Sequence, residues 1–151
     1  MKFNSYEINA IIATAKRLVR GVKTANNRVL SIKDEIRSAA NRRADDISNK
    51  NVVGEIPDYL IEDLRYEQDN LREEECALAK FELLNGPAER WIERGWIPLA
   101  QALLEENKYS EAEELAKDLY SQGRKSEALS VSKGLSKKVT PSASLTKLLS
   151  H

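Results

Sequence analysis

Residues 8–39, which read INAIIATAKRLVRGVKTANNRVLSIKDEIRSA, repeat apolar side chains with the seven-residue period of a coiled coil. A spacing of about 3.5 residues places these side chains on one seam of one long helix, and that seam must be buried against another helix. The period therefore predicts an all-α protein organised by helix packing. The seam residues are Ile8, Ile11, Ala15, Leu18, Val22, Ala25, Val29, Ile32, Ile36 and Ala39.

Local signals set the ends of this helix and of the next one. Asn4 and Glu7 have the spacing of a capping box, so the first helix begins at residue 4 or 5 and runs to about residue 39 or 44. Residues 45–55 are polar and predict a turn. A second helix then runs from Pro57 to about residue 84, where Asn85-Gly86-Pro87 ends it. Its predicted apolar positions are Leu60, Ile61, Leu64, Leu71, Leu78 and Phe81.

The two helices carry opposite charge. Residues 5–43 contain nine Lys/Arg and three Asp/Glu, a net +6, whereas residues 58–85 contain three and nine, a net −6. An antiparallel hairpin would bring these faces together and would cover the seam of the first helix. The alternative is that the first helix pairs with a second copy of itself. Surface ion pairs are individually weak, up to about 1 kcal/mol, so the charges favour orientation more than stability.

Short helices follow Gly86. Two similar hexads, NKYSEA at 107–112 and GRKSEA at 123–128, lie sixteen residues apart, each with a small Ala just after a turn. This spacing resembles that of tetratricopeptide-type repeats over about residues 97–130, although at most one such unit fits. We interpret the region as ordinary packed helices joined by short turns.

The predicted organisation has three parts. Residues 1–86 form the long helical hairpin, residues 87–134 form a bundle of short helices packed on it, and residues 135–151 form a flexible basic tail. That tail is rich in Ser and Lys and has a short apolar end at Leu145, Leu148 and Leu149.

Few residues could carry catalytic chemistry. The only histidine is His151, the last residue of the sequence, which argues against His-based catalysis and His metal sites in the core. Cys76 follows three glutamates, an acidic setting that does not activate a thiol as a nucleophile. We expect no cofactor, no metal and no enzymatic activity. Glu111/Glu114 and Glu55/Asp58 match the two halves of a Mg²⁺-binding pattern, but in the wrong chain order, so a carboxylate–metal phosphohydrolase is the third-ranked function.

Two surfaces are candidates for binding. Trp91 and Trp96, extended by Tyr109 and Tyr120, could form an aromatic contact patch for a protein, or they could join the hairpin to the short helices. The other candidate is a basic stripe on the outer face of the first helix, which could follow phosphates or dock on an acidic protein. It consists of Lys16, Arg17, Arg20, Lys23 and Arg37, and Arg42 and Arg43 lie at its end.

The favoured hypothesis is a small accessory protein, an adaptor or inhibitor that binds and modulates a larger protein and can self-associate as a homodimer. Such charge-segregated proteins are common in bacteria and phages. A nucleic-acid-binding protein is the second hypothesis. A single cysteine and the lack of an apolar leader or spanning segment predict a cytoplasmic protein without membrane contact.

Overall fold

A computed structural model describes residues 3–48 and 56–150 of the chain, with side chains up to residue 42 in the first helix. Within that part of the chain the structure is all-α and contains no strand. The helices are α1 (Ser5–Ser48), α2 (Asp58–Asn85), α3 (Ala88–Arg94), α4 (Trp96–Glu105), α5 (Tyr109–Ser121), α6 (Lys125–Ser136) and α7 (Ala143–Leu149). None of these helices is both long and apolar enough to cross a membrane.

The chain divides into two compact units, and α1 contributes to both. The short-helix unit comprises Met1–Ala13 and Glu89–His151, and the hairpin unit comprises Thr14–Ala88. The sequence analysis placed all of α1 in the hairpin. The difference begins at Ile8, a seam residue that is buried in the core of the short-helix unit.

The predicted seam of α1 is confirmed residue by residue. All ten positions are buried or half-buried, while most of the residues between them are exposed. The predicted cap is also present in part, because Asn4 Oδ1 accepts a 2.8 Å hydrogen bond from the Glu7 backbone N–H. The long helix therefore begins where its sequence has a capping signal and faces its core along the heptad repeat.

In the hairpin unit, α1 and α2 run antiparallel. The Glu74 carboxylate, late in α2, lies against Gly21, early in α1, where an added Cβ would come within 2.5 Å of Glu74 Oε2. Tyr59 and Leu60, at the start of α2, line a groove together with residues between Ser31 and Arg42 of α1. The predicted turn falls partly within α1, which continues to Ser48, and partly on residues 49–55, which lie outside the described residues.

The face that α2 turns toward α1 differs from the predicted one. Its buried and half-buried residues include positions 60, 64, 67, 71, 74, 78 and 81, which alternate steps of four and three residues. Two of these positions hold Glu67 and Glu74, whereas Ile61, which we expected on this face, is 45% exposed. Gly86 ends the helix as predicted, with a φ of 87° and its N–H bonded to the Glu82 carbonyl.

The two hexads form the same turn twice. Asn107 and Gly123 both have left-handed backbone, with φ of 59° and 78°. The N–H of the following residue bonds five residues back in each case, Lys108 to the Leu103 carbonyl and Arg124 to the Leu119 carbonyl. These are Schellman turns, and the Ala that follows each one, Ala112 or Ala128, is fully buried between helices.

Carboxylates from elsewhere in the fold hold the starts of three helices. Glu106 Oε2 accepts the Ser5 N–H at 3.0 Å, Glu82 Oε2 accepts the Ala88 N–H at 2.9 Å, and Glu113 Oε1 accepts the Ser142 N–H at 2.8 Å. The first backbone N–H groups of a helix have no partner within the helix and lie at the positive end of its dipole. An acidic side chain accepts a hydrogen bond from one of these N–H groups and also places its negative charge at the positive end of the dipole.

Gly95, between α3 and α4, is required because no larger residue fits there. Its backbone is right-handed, with a φ of −60°, so a left-handed conformation is not the reason for glycine here. A Cβ at this position would clash with the Trp91 carbonyl oxygen and would lie 2.7 Å from Ile12 Cγ1. Only glycine allows α1 and the α3–α4 junction to approach this closely.

Residues 143–149 form a helix where the sequence analysis expected a tail without a pattern. Ser142 caps α7 by accepting the Leu145 N–H at 3.3 Å. Leu145 is fully buried and Leu149 is 9% exposed, and both belong to the core of the short-helix unit. The physical reason is that leucines four residues apart lie on the same side of one helical turn, which is enough to anchor a short helix.

Candidate protein interface

The hairpin unit leaves large apolar side chains of α2 in solvent. Over its 28 residues α2 buries only Leu60 and Phe81. Tyr59 is 61% exposed, Tyr66 71% and Leu84 82%. Together with the exposed Ala77, these residues follow one line along the helix, because intervals of 7, 11 and 7 residues return to nearly the same angle. We call Tyr59, Tyr66, Ala77 and Leu84 the apolar row of α2.

A row of small residues on α1 borders the same side of the hairpin. Ser31, Glu35, Ser38 and Arg42 lie on one line of α1, and they face Tyr59 across an open groove of about 350 Å³. The same line extends toward the start of α1 at intervals of three and four residues. We call Thr24, Ser31 and Ser38 the small-residue row of α1. The other positions of the same line are Arg17, Gly21, Arg28, Glu35 and Arg42, of which Gly21 is covered by Glu74 of α2.

The opposite charges of the two helices do not pair across the hairpin. In the part of the chain that the structure describes, the ion pairs of α1 and α2 are local, Arg37 with Asp34 at 4.0 Å and Arg72 with Asp69 at 3.6 Å. Glu67, on the face turned toward α1, has one buried carboxylate oxygen without a hydrogen-bond partner. Among the described residues, therefore, no ion pair joins the basic helix α1 to the acidic helix α2.

The aromatic residues singled out from the sequence are packing residues in the short-helix unit. Trp91, Trp96, Tyr109 and Tyr120 are all half-buried and pack against the core that contains Leu99, Leu103 and Leu119. The Tyr109 hydroxyl donates a 2.8 Å hydrogen bond to Asn107 Oδ1 at the left-handed turn. A contact between these aromatics and a partner stays a prediction.

Sequence reasoning missed Tyr59 and Tyr66, the most exposed aromatics of α2. Their seven-residue spacing was a signal that could have found them. It was obscured because both tyrosines stand next to acidic residues and outside the apolar seam. In such a helix, a second set of apolar residues at seven-residue intervals, beside the set that is buried, is the sequence feature that indicates an exposed row.

The predicted basic stripe is exposed along its whole length. Lys16, Lys23 and Arg37 share one line at seven- and fourteen-residue intervals, with Leu30, 50% exposed, between Lys23 and Arg37. Arg17 and Arg20 are exposed as well, and neither forms an ion pair with another described residue. The side chain of Arg43 lies outside the described residues.

No metal centre is assembled in the described residues, where no group of three or more potential ligands among His, Cys, Asp and Glu comes together. Of the residues proposed for Mg²⁺, Glu55 lies outside the described part, and Glu114 pairs with Lys117 at 3.9 Å. Cys76 is an exposed free thiol on α2.

Compared with protein-family models, with curated proteins and with solved structures, the chain has no match.

Proposed function

We propose that this protein is a non-enzymatic protein-binding module, an adaptor or inhibitor that docks on another protein through the side of its hairpin formed by the apolar row of α2 and the small-residue row of α1. The observation that carries the proposal is the exposure of Tyr59, Tyr66 and Leu84 on one line of α2. Large apolar side chains exposed along one side of a helix and bordered by polar residues are a feature of interaction sites, and Tyr is enriched among the residues that dominate binding energy. We place the interaction in the cytoplasm, where a lone cysteine stays reduced.

Two neighbouring leucines allow a matched test. Leu84 belongs to the apolar row, whereas Leu83, 87% exposed, points about 100° away around the helix. A pull-down from host lysate should recover a stoichiometric protein with the wild-type chain and with Leu83→Glu, but not with Leu84→Glu. Nuclease treatment should leave the recovery unchanged. Equal recovery by both leucine variants would rule out this side of the hairpin as the binding site.

The exposed cations of α1 favour nucleic acid as the second candidate. Positions 16, 23, 30 and 37 recur about every 10.5 Å along the helix, and three of the four are basic. Binding to phosphates would weaken steeply as salt concentration rises. The double variant Arg17→Glu with Arg20→Glu should then abolish binding to duplex DNA or RNA in a fluorescence anisotropy titration. An unchanged titration would eliminate this candidate.

A further inference from the structure

We propose that the partner seated on this side of the hairpin is a second copy of the chain, so that two hairpins form an antiparallel four-helix bundle with α1 of each copy against α2 of the other. This inference rests on the proposed function, because it names the partner of the same surface. Four features of the hairpin support it.

The hairpin is an incomplete core. Two helices can cover only one side of each other, and the apolar row of α2 is left in solvent, with Tyr59 61%, Tyr66 71% and Leu84 82% exposed. Long helices gain most of their stability from the burial of an apolar face in tertiary packing. A second pair of helices is the arrangement that closes such a core in four-helix bundles.

The surface is complementary to itself in shape. The same side of the hairpin carries protruding side chains on α2, Tyr59, Tyr66 and Leu84, and small exposed side chains on α1, Thr24, Ser31 and Ser38. A two-fold axis would place the protruding row of each copy on the small-residue row of the other. Each contact then occurs twice, which is the property of an isologous interface.

The charges also favour pairing α1 of one copy with α2 of the other. Asp63 and Glu73 border the apolar row of α2, and Arg17 and Arg28 lie on the same line of α1 as the small-residue row. None of these four side chains forms an ion pair with another described residue. Placing α1 of one copy over α2 of the other brings opposite charges together, whereas placing α1 over α1 would bring like charges together.

The surface is also large enough. The apolar row spans 25 residues from Tyr59 to Leu84, about 37 Å of helix. Two helices side by side are about 20 Å wide, so the footprint is about 700 Å² for each copy. Stable protein interfaces bury about 800 Å² on each partner.

The first experiment measures the mass of the full chain by light scattering and sedimentation. The wild-type protein and Leu83→Glu should have twice the 17.0 kDa chain mass. Tyr66→Glu and Leu84→Glu should each fall to the single-chain mass while circular dichroism shows unchanged helix content. Because both side chains are largely exposed in the single chain, neither change should unfold it. A wild-type monomer at high micromolar concentration, or a dimer that survives Tyr66→Glu, would overturn the proposal.

A charge-swap experiment tests which helices meet. One variant carries Arg17→Glu and Arg28→Glu, and the other carries Asp63→Lys and Glu73→Lys. Each variant alone should be monomeric, because like charges face each other across the interface. Their equimolar mixture should regain the dimer mass, because both α1–α2 contacts in the mixed dimer are again of opposite charge. A mixture that stays monomeric would reject the α1-against-α2 arrangement.

The two proposals can fail separately. A monomeric chain that still loses its protein partner through Leu84→Glu removes the dimer and leaves the proposed function. A dimer that recovers no other protein from lysate keeps the dimer and removes the adaptor or inhibitor function.

Discussion

At the scale of single residues, the Glu106 carboxylate connects the start of α1 to the end of α4 in the short-helix unit. Its carboxylate is hydrogen-bonded by the Ser5 side chain and by the Ser5 backbone N–H, and Lys108 lies 3.7 Å away. These interactions lower the pKa of Glu106 below its ordinary value of 4.5, with the Ser5 side chain as the largest cause. Lys108 also donates a 3.0 Å hydrogen bond to Ser5 Oγ, so the three residues form one network.

The lowered pKa of Glu106 makes this network sensitive to acid. A carboxyl group with a depressed pKa in the folded state stabilises the fold above its unfolded pKa, and this contribution is lost as the pH falls through the folded pKa. Glu106→Gln should therefore lower the melting temperature at pH 7, and the difference from wild type should shrink below about pH 4. Thermal melts at a series of pH values measure this directly.

Glu93→Gln is the control for that measurement, because Glu93 is exposed and its carboxylate makes no ion pair among the described residues. A difference between Glu106→Gln and wild type that stays constant from pH 7 to pH 3 would show that the charge of Glu106 is not what stabilises the start of α1.

At the scale of elements, the two Schellman turns set the path of α4, α5 and α6. Gly123 has left-handed backbone, where a Cβ costs about 1–2 kcal/mol. Gly134 lies within α6, and a Cβ there would meet Leu104 Cδ1 at an ordinary 3.5 Å. Gly123→Ala should therefore lower the free energy of unfolding by about 1 kcal/mol, whereas Gly134→Ala should raise it by about 0.5–1 kcal/mol.

Urea denaturation followed by tryptophan fluorescence measures the free energy of unfolding of the short-helix unit for both glycine variants, because Trp91 and Trp96 lie beside its core. The informative result is that the two substitutions change the free energy of unfolding in opposite directions. Destabilisation by both variants would mean that α6 is packed too tightly for a methyl group at 134, and stabilisation by both would mean that the turn at 123 does not require glycine.

The helices differ in how well the sequence predicted them. The seam of α1 was predictable because ten consecutive heptad positions are apolar and no other structure accommodates that period. The face of α2 was predicted only in part, because Glu67 and Glu74 interrupt its apolar pattern and their placement is decided by packing against α1. The helix at 143–149 was missed because its burial depends on a core formed by distant residues, a tertiary effect that overrides local composition.

At the scale of the whole molecule, the two units differ in how much apolar surface they bury. The short-helix unit has a continuous core that includes Leu99, Leu103, Leu119, Leu135 and Leu145. In the hairpin unit, by contrast, four of the eight seam residues of α1 are only half-buried, and α2 buries only Leu60 and Phe81. Regions with fewer buried apolar contacts open at lower free energy, so we expect the hairpin unit to unfold first.

The positions of the tryptophans make this order measurable. Both lie in the short-helix unit, whereas roughly half of the helical residues lie in the hairpin unit. On heating, circular dichroism at 222 nm should therefore lose amplitude in a first transition that tryptophan fluorescence does not report, followed by a second transition that both probes share. Coincident transitions by the two probes would show instead that the chain unfolds as one cooperative body.

Protein concentration connects this melting behaviour to self-association. A second copy that binds the folded hairpin stabilises it by mass action, so raising the protein concentration should move the first transition to higher temperature and leave the second in place. Leu84→Glu should abolish this concentration dependence, because it removes the contact on the apolar row, whereas Leu83→Glu should retain it. A first transition that is independent of concentration in the wild-type protein would mean that the hairpin is stable without a partner, and the exposed apolar row would then be a property of the free molecule rather than the mark of a binding surface.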